Sequence, residues 1–203
     1  MSSDGGETGR TQAERSETTR AALIAAARAL FGARGYADVG TEEIVRAAGV
    51  TRGALYHHFD GKRELLSAVY EQLEAELAAE IAESLSGAES PLEAMRDGAT
   101  MLLDAALEPE VQRIVLLDAP AFLGWEEWRE IGLRYALGLM EGTLAAAMDA
   151  GEIRRQPLRP LAHALLGALD EVAMLVARAD DPKTARAEAG ETLTGLIESL
   201  RVR

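Results

Sequence analysis

An uninterrupted helical rhythm constrains this chain more than any other feature. Leu23, Ala27, Leu30 and Phe31 recur at helical spacing, as do Leu65, Leu66, Val69, Tyr70, Leu73, Leu77 and Ile81, and later Leu193, Leu196, Ile197 and Leu200. No useful stretch alternates apolar and polar residues as a half-buried strand would. Glycine and proline supply the punctuation. A first helix is expected from Ser16 to Arg34, stopped by Gly35, and a second from Thr41, as cap, to Ala48-Gly49. A long helix follows from Gly61 to Ser86. Later helices are expected to open at Ser90-Pro91, Pro109, Trp125, Pro157 to Pro160 and Asp181-Pro182, with Pro120 and Gly124 as interruptions. No internal repeat is visible. Ala, Leu and Glu dominate and aromatics make up only 4%, a composition that favours helix. The fold class expected is all-α.

Between the second helix and the long one lies Thr51 to Phe59, the segment with the most to say about function. Thr51 is a good N-cap, Val50 and Leu55 occupy the positions of a hydrophobic staple, and Leu55 and Phe59 share one face. Gly53 and His57 point away from that face, and Arg52, Tyr56 and His58 flank it. So short a helix is not stable alone. Gly49 supplies the tight turn before it, and Ile44, Ala48, Val50 and Leu55 supply the packing, which is a helix-turn-helix pattern.

The net charge of −13 argues against a phosphate-bearing partner until its distribution is considered. Residues 10 to 63 hold nine Arg and Lys against six Asp and Glu, so a basic head precedes an acidic body. There are no cysteines and only three histidines, which leaves little for disulfides or a metal site. Residues 1 to 14 read as a polar, disordered tail. Arg10, Arg15 and Arg20 are candidates for an arm on DNA phosphates, against the simpler reading of a solvated tail. No signal-peptide core and no run near 18 apolar residues is found, so a soluble, cytoplasmic protein with no membrane partner is expected.

Residues from about Ser16 to Tyr70 resemble the DNA-binding module of TetR-family transcriptional regulators. The matching residues are Leu30-Phe31, Gly35-Tyr36, Thr41, Ile44, Ala48-Gly49-Val50, Leu55-Tyr56, His58-Phe59, Lys62 and Leu65-Leu66. Val45 stands where the family usually has a small residue, and a slightly shifted helix crossing is the expectation there. The resemblance implies a three-helix helix-turn-helix module over residues 15–60 on a helical-bundle ligand-binding and dimerisation domain over 61–203. Within the module, the fork of Arg52 suits the two acceptors of guanine in the major groove. Tyr56, His58 and Lys62 resemble the family's phosphate contacts. Thr41 and Thr51 add contacts at helix N-termini, Gly53 permits close approach, and His57 faces outward to a base or sugar. Adjacent histidines diverge too far to form a metal site.

The body is expected to dimerise and to sense a ligand. Leu165, Leu169, Val172 and Val176, with Leu193, Leu196, Ile197 and Leu200, form stripes that resemble the family's four-helix dimer interface; the alternative is that both serve one chain's core. Met101, Leu102, Leu116, Phe122, Trp125, Trp128, Tyr135 and Met140 are candidates for the lining of a pocket, with Asp118 and Glu171 or Asp170 as polar contacts. The bland reading is plain core and surface acids. No cofactor and no metal is called for. The function expected is a homodimeric repressor that binds a palindromic double-stranded operator and is released by a small, largely apolar effector. An activator or co-repressor-dependent repressor of the same fold is the alternative, and a helical protein-interaction module a further one. No Ser/His/Asp set, phosphate loop or metal cluster suggests an enzyme.

Overall fold

The computed structural model describes residues 12–202. Among them the architecture is helical throughout, with a single antiparallel bridge between Ile153 and Arg201. Helix α1 spans Gln12–Arg34, opening four residues ahead of the expected Ser16. Gln12, Ala13 and Glu14, assigned above to the tail, are therefore helical; Arg10 and the rest of that tail lie outside the described residues. Helix α1 buries Leu23, Ile24, Ala27 and Phe31 and stops at Gly35, whose N–H reaches the Phe31 carbonyl at 2.7 Å. Gly35 has φ +87°, a conformation that a side chain disfavours.

Two short helices complete the head: α2 at Thr41–Ala47 and α3 at Arg52–His58. Gly40 caps α2, with the Glu43 carboxylate accepting from its N–H at 3.4 Å. Thr41 is the first helical residue, which corrects its expected role as the cap. Ile44 and Leu55 are fully buried, so α2 and α3 are pinned to α1 by one core residue each.

The body contains α4 (Lys62–Leu85), α5 (Pro91–Ala105), a π-helical segment (Val111–Asp118), α6 (Ala119–Leu123), α7 (Trp125–Asp149), α8 (Leu158–Arg178) and α9 (Pro182–Glu198). The caps work where the sequence placed them: Ser90 accepts from Glu93 N at 3.3 Å and Asp181 from Thr184 N at 3.3 Å. Helix α5 lies inside, against α4, α7, α8 and α9, and α4 continues outward to pack on α1.

Pro120 does not interrupt the chain as expected. It sits in the first turn of α6, directly after backbone whose bonding has widened: the Ala119 N–H donates to Ile114 O, five residues back. In that register the Val115 carbonyl would look to residue 120, and proline has no N–H. The indole of Trp128 fills the gap, donating to Val115 O at 3.0 Å. The π segment is thereby bonded across to α7. Such segments are rare and concentrate at functional sites.

The stripes on α8 and α9 need correction. Leu165, Leu169, Val176, Leu193 and Ile197 are buried within one chain, because α9 packs on both α5 and α8. Leu175 and Leu196 are the large apolar side chains these helices leave exposed, at 57% and 40%, with Val172 and Leu200 half-buried. Among the described residues α8 is long and apolar enough, by length and composition alone, to cross a membrane, although Asp170 and Glu171 interrupt its apolar run. Its apolar positions Ala162, Leu165, Leu166, Leu169, Ala173 and Met174 are packed inside the bundle.

Candidate nucleic-acid interface and body cavity

Helix α3 is held by its ends. Thr51 Oγ1 accepts from Ala54 N at 3.2 Å, and Phe59 N closes the helix on Leu55 O at 2.9 Å. Burial of Leu55 and Phe59 turns Arg52, Gly53, Tyr56 and His57 to solvent, with His58 half-buried beside them. The Arg52 guanidinium lies 5.6 Å from the centre of the Tyr56 ring and 3.5 Å from the Glu42 carboxylate. Both partners of that ion pair are well exposed, so it restrains Arg52 only weakly. A donor fork on the first turn of an exposed helix is suited to base edges in a major groove.

Lys62, expected as a phosphate contact, is bonded within the protein. Its ammonium donates to the carbonyls of Tyr36 and Val39 at 2.8 and 2.9 Å and lies 4.0 Å from the centre of the Tyr36 ring. Burial there pushes the ammonium below the usual lysine range, against the pull of Asp118 and Asp38. A cation at the start of α4 is unfavourable to the helix dipole; here it bolts α4 to the loop that ends α1. Arg20 likewise turns inward, over the Phe59 ring at 5.3 Å.

The same loop is the seam between head and body. Asp118, the last residue of the π segment, accepts from Tyr36 N at 2.7 Å. The Tyr36 ring packs between Phe31 and Phe122, at centroid distances of 5.4 and 4.5 Å. Arg28 on α1 donates to Glu110 at 2.9 and 2.8 Å and to Glu76 at 2.9 and 2.7 Å. Arg63 reaches Leu123 O at 2.7 Å and Glu127 at 2.6 Å. Arg34 also donates to Asp38 O in this loop at 2.9 Å, so four of the nine cations in residues 10–63 are bonded to the loop or the body. Asp118 and Phe122, expected in a pocket, belong to this seam.

The cavity lies deeper in the body, between α4, α5, the π segment, α7 and α8, with a volume of about 120 Å³. Leu102, Leu116, Trp128 and Met140 line it, and so do Tyr70, Glu74, Arg129 and Asp170. Four further candidates lie elsewhere. Met101 lines a separate open groove with Arg28, Glu76 and Asp104. Trp125 is 61% exposed, Tyr135 donates to Glu71 at 3.1 Å, and Glu171 is exposed. The cause is shared: helical phase points each of these side chains elsewhere than into this cavity.

Helical phase also brings the polar members in. Tyr70 is buried, and its hydroxyl donates to Trp128 O at 3.1 Å. Gly132 on α7 lets that helix approach: a Cβ there would come within 3.3 Å of the Tyr70 hydroxyl and 4.0 Å of Glu74 Oε2. Burial pushes the Glu74 carboxyl up to about 7, with the Asp170 charge adding to the effect and Tyr70 opposing it. Burial raises Asp170 to about 6, against the attraction of Arg129, to which it is hydrogen-bonded. Sequence reasoning missed Tyr70, Glu74 and Arg129. No local signal marked them: Gly132 is one of several glycines inside the helices, and only its close approach to Tyr70 and Glu74 sets it apart.

Comparison with known proteins agrees with this geometry. Residues 92–200 match the family model described as "Tetracyclin repressor-like, C-terminal domain", and residues 23–69 that of "Bacterial regulatory proteins, tetR family". The Transposon Tn10 TetC protein of Escherichia coli is 31% identical over 145 residues, covering 70% of this chain and 72% of that protein. The HTH-type transcriptional regulator SrpR of Pseudomonas putida is 40% identical over 101 residues, covering 50% of this chain and 46% of that one. A TetR-family transcriptional regulator from Pectobacterium atrosepticum superposes with a TM-score of 0.86 at 37% identity, covering 96% and 99% of the two chains.

Proposed function

Because the chain belongs to the TetR family of DNA-binding transcriptional regulators, we propose that it is a repressor whose grip on its operator is released by a small molecule in the body cavity. One observation carries this reading. The π segment lines the cavity with Val111, Val115 and Leu116, and its last residue, Asp118, holds the head through Tyr36 N. A ligand that displaces the segment by a fraction of an ångström acts directly on the loop that α4 and Lys62 also grip. Packed elements of this kind switch between arrangements and do not deform smoothly.

The functional division is a DNA-reading head at 15–60 and a sensing and dimerising body at 61–203. On the head, Arg52 reads a base, Tyr56 and His58 set the register on phosphates, and Thr41, Thr51, Gly53 and His57 complete the contact face. The family's dimeric habit is met by the outer face of α8 and α9, around Leu175 and Leu196, whose exposure supports that assignment. A twofold pair places two α3 helices about 34 Å apart and calls for a palindromic operator.

The test is Ala99→Phe, which fills part of the cavity from α5. Operator affinity falls about tenfold, within the usual range of coupling between sites, and adding Asp118→Ala recovers most of it by cutting the link. A folded Ala99→Phe chain that binds the operator as the parent does would refute the coupling.

A further inference from the structure

The charges inside the cavity do not balance, and the imbalance specifies a ligand. Three ionisable side chains that carry charge reach it: Glu74 from α4, Arg129 from α7 and Asp170 from α8. Arg129 is committed to Asp170. Glu74 is left facing the Tyr70 hydroxyl and the Asp170 carboxylate, and the charge that acts on it raises its pKa. What α5 and the π segment contribute to the wall is apolar. One carboxylate in a largely apolar chamber therefore lacks a counter-ion, an arrangement that is costly unless something supplies the missing charge.

We propose that the cavity takes a single-ring, mostly apolar molecule carrying one positive charge, an arylalkylamine in chemical class, with the Glu74 carboxylate as its counter-ion. The size follows from the volume: about 120 Å³ is comparable with the roughly 150 Å³ apolar cavity that takes up benzene. The sign follows from Glu74. An anion would meet two carboxylates and a guanidinium already engaged, and a neutral hydroxyl would leave the Glu74 charge in place. The opening beside Glu74 comes from Gly132, where even a methyl group would crowd Tyr70. This inference rests on the effector reading of the cavity and makes it chemically specific.

The experiment compares benzylamine with benzyl alcohol, two molecules of equal heavy-atom count that differ in charge, by calorimetric titration of the full chain at pH 8. Benzylamine binds about tenfold more tightly or better, the usual gain for a hydrogen bond to a charged group, and Glu74→Gln abolishes the preference while changing benzyl alcohol affinity less than about threefold. Thermal melts establish that the variant is folded. Asp170→Asn is the second variant: it frees Arg129 from its partner to serve as the counter-ion of Glu74, so the preference for the amine should shrink, and an undiminished preference would overturn the charge balance argued here. Equal affinity of the two probes for the parent overturns the charge assignment and leaves the effector reading intact. A preference that survives Glu74→Gln overturns the role of Glu74. Failure of both probes to bind at about 10 mM, where even weak fragments register, overturns the ligand class, and the Ala99→Phe operator assay then decides the effector reading separately.

Discussion

Replacing Glu74 by Gln should make the protein more stable at pH 8 and leave it nearly unchanged at pH 4.5. In the unfolded chain the Glu74 carboxyl ionises near its ordinary value of 4.5, and in the folded chain near 7. Between those values the unfolded state releases its proton first, so the contribution of Glu74 to stability falls as pH rises through the window and is fully adverse above it. At 1.36 kcal/mol per pKa unit, the full penalty is at most about 3 kcal/mol. Glutamine keeps the shape and the contact with Tyr70 but cannot ionise, so it escapes the penalty. Asp170, raised to about 6 by burial, acts in the same direction over a lower window, and the pair titrates together. About 1 to 3 kcal/mol is therefore the gain expected at pH 8. Urea unfolding of parent and variant at pH 4.5, 6 and 8, at fixed chain concentration, gives the difference directly. Comparing the two chains at each pH cancels groups of the opposite kind. Glu43 and Asp181, whose pKa values are lowered mainly by hydrogen bonds from Arg34 and Thr184, stabilise at neutral pH and lose that effect in acid. A gain that is the same at every pH, or a loss at pH 8, would refute the reasoning.

Three further substitutions probe the head and its seam. Leu55→Ala removes the one fully buried side chain of α3 and should cost about 2 to 5 kcal/mol in urea unfolding. Lys62→Ala should lower stability, because the Tyr36 and Val39 carbonyls lose their donor; the salt dependence of operator binding should keep its slope, whereas a phosphate contact would reduce it by about one unit. Gly35→Ala forces a side chain into φ +87° and brings its Cβ to 3.1 Å from the Arg113 guanidinium, so a loss of roughly 1 to 3 kcal/mol is expected in the same assay.

Local chemistry made much of the fold legible. Thr51, Ser90 and Asp181 announce their helices because a side-chain oxygen before a helix satisfies an otherwise unpaired N–H. Leu55 and Phe59 declare the buried face of α3 because only two large apolar residues are available there. Illegible were features set by partners distant in sequence. Pro120 reads as a break, and only the Trp128 indole makes a wider register tolerable. Leu193 and Ile197 look like an interface stripe until α5 covers them. Glu74 is one glutamate among several on α4, and nothing local separates it from Glu71 or Glu76; its position opposite Asp170 and Gly132 does. The scarce aromatics misled because a large ring is as useful at a seam, as Phe122 is against Tyr36, as in a pocket wall.

The central claim is that the exposed face of α3 reads DNA sequence. It is tested most directly by the affinity of parent and Arg52→Ala for a palindromic duplex selected by the parent from a random pool, at one fixed salt concentration. A side chain that reads a base contributes about 1 to 3 kcal/mol of discrimination at each half-site. Arg52→Ala should therefore bind at least about tenfold more weakly and lose its preference at one symmetric pair of positions. Affinity and preference equal to the parent's would contradict the account.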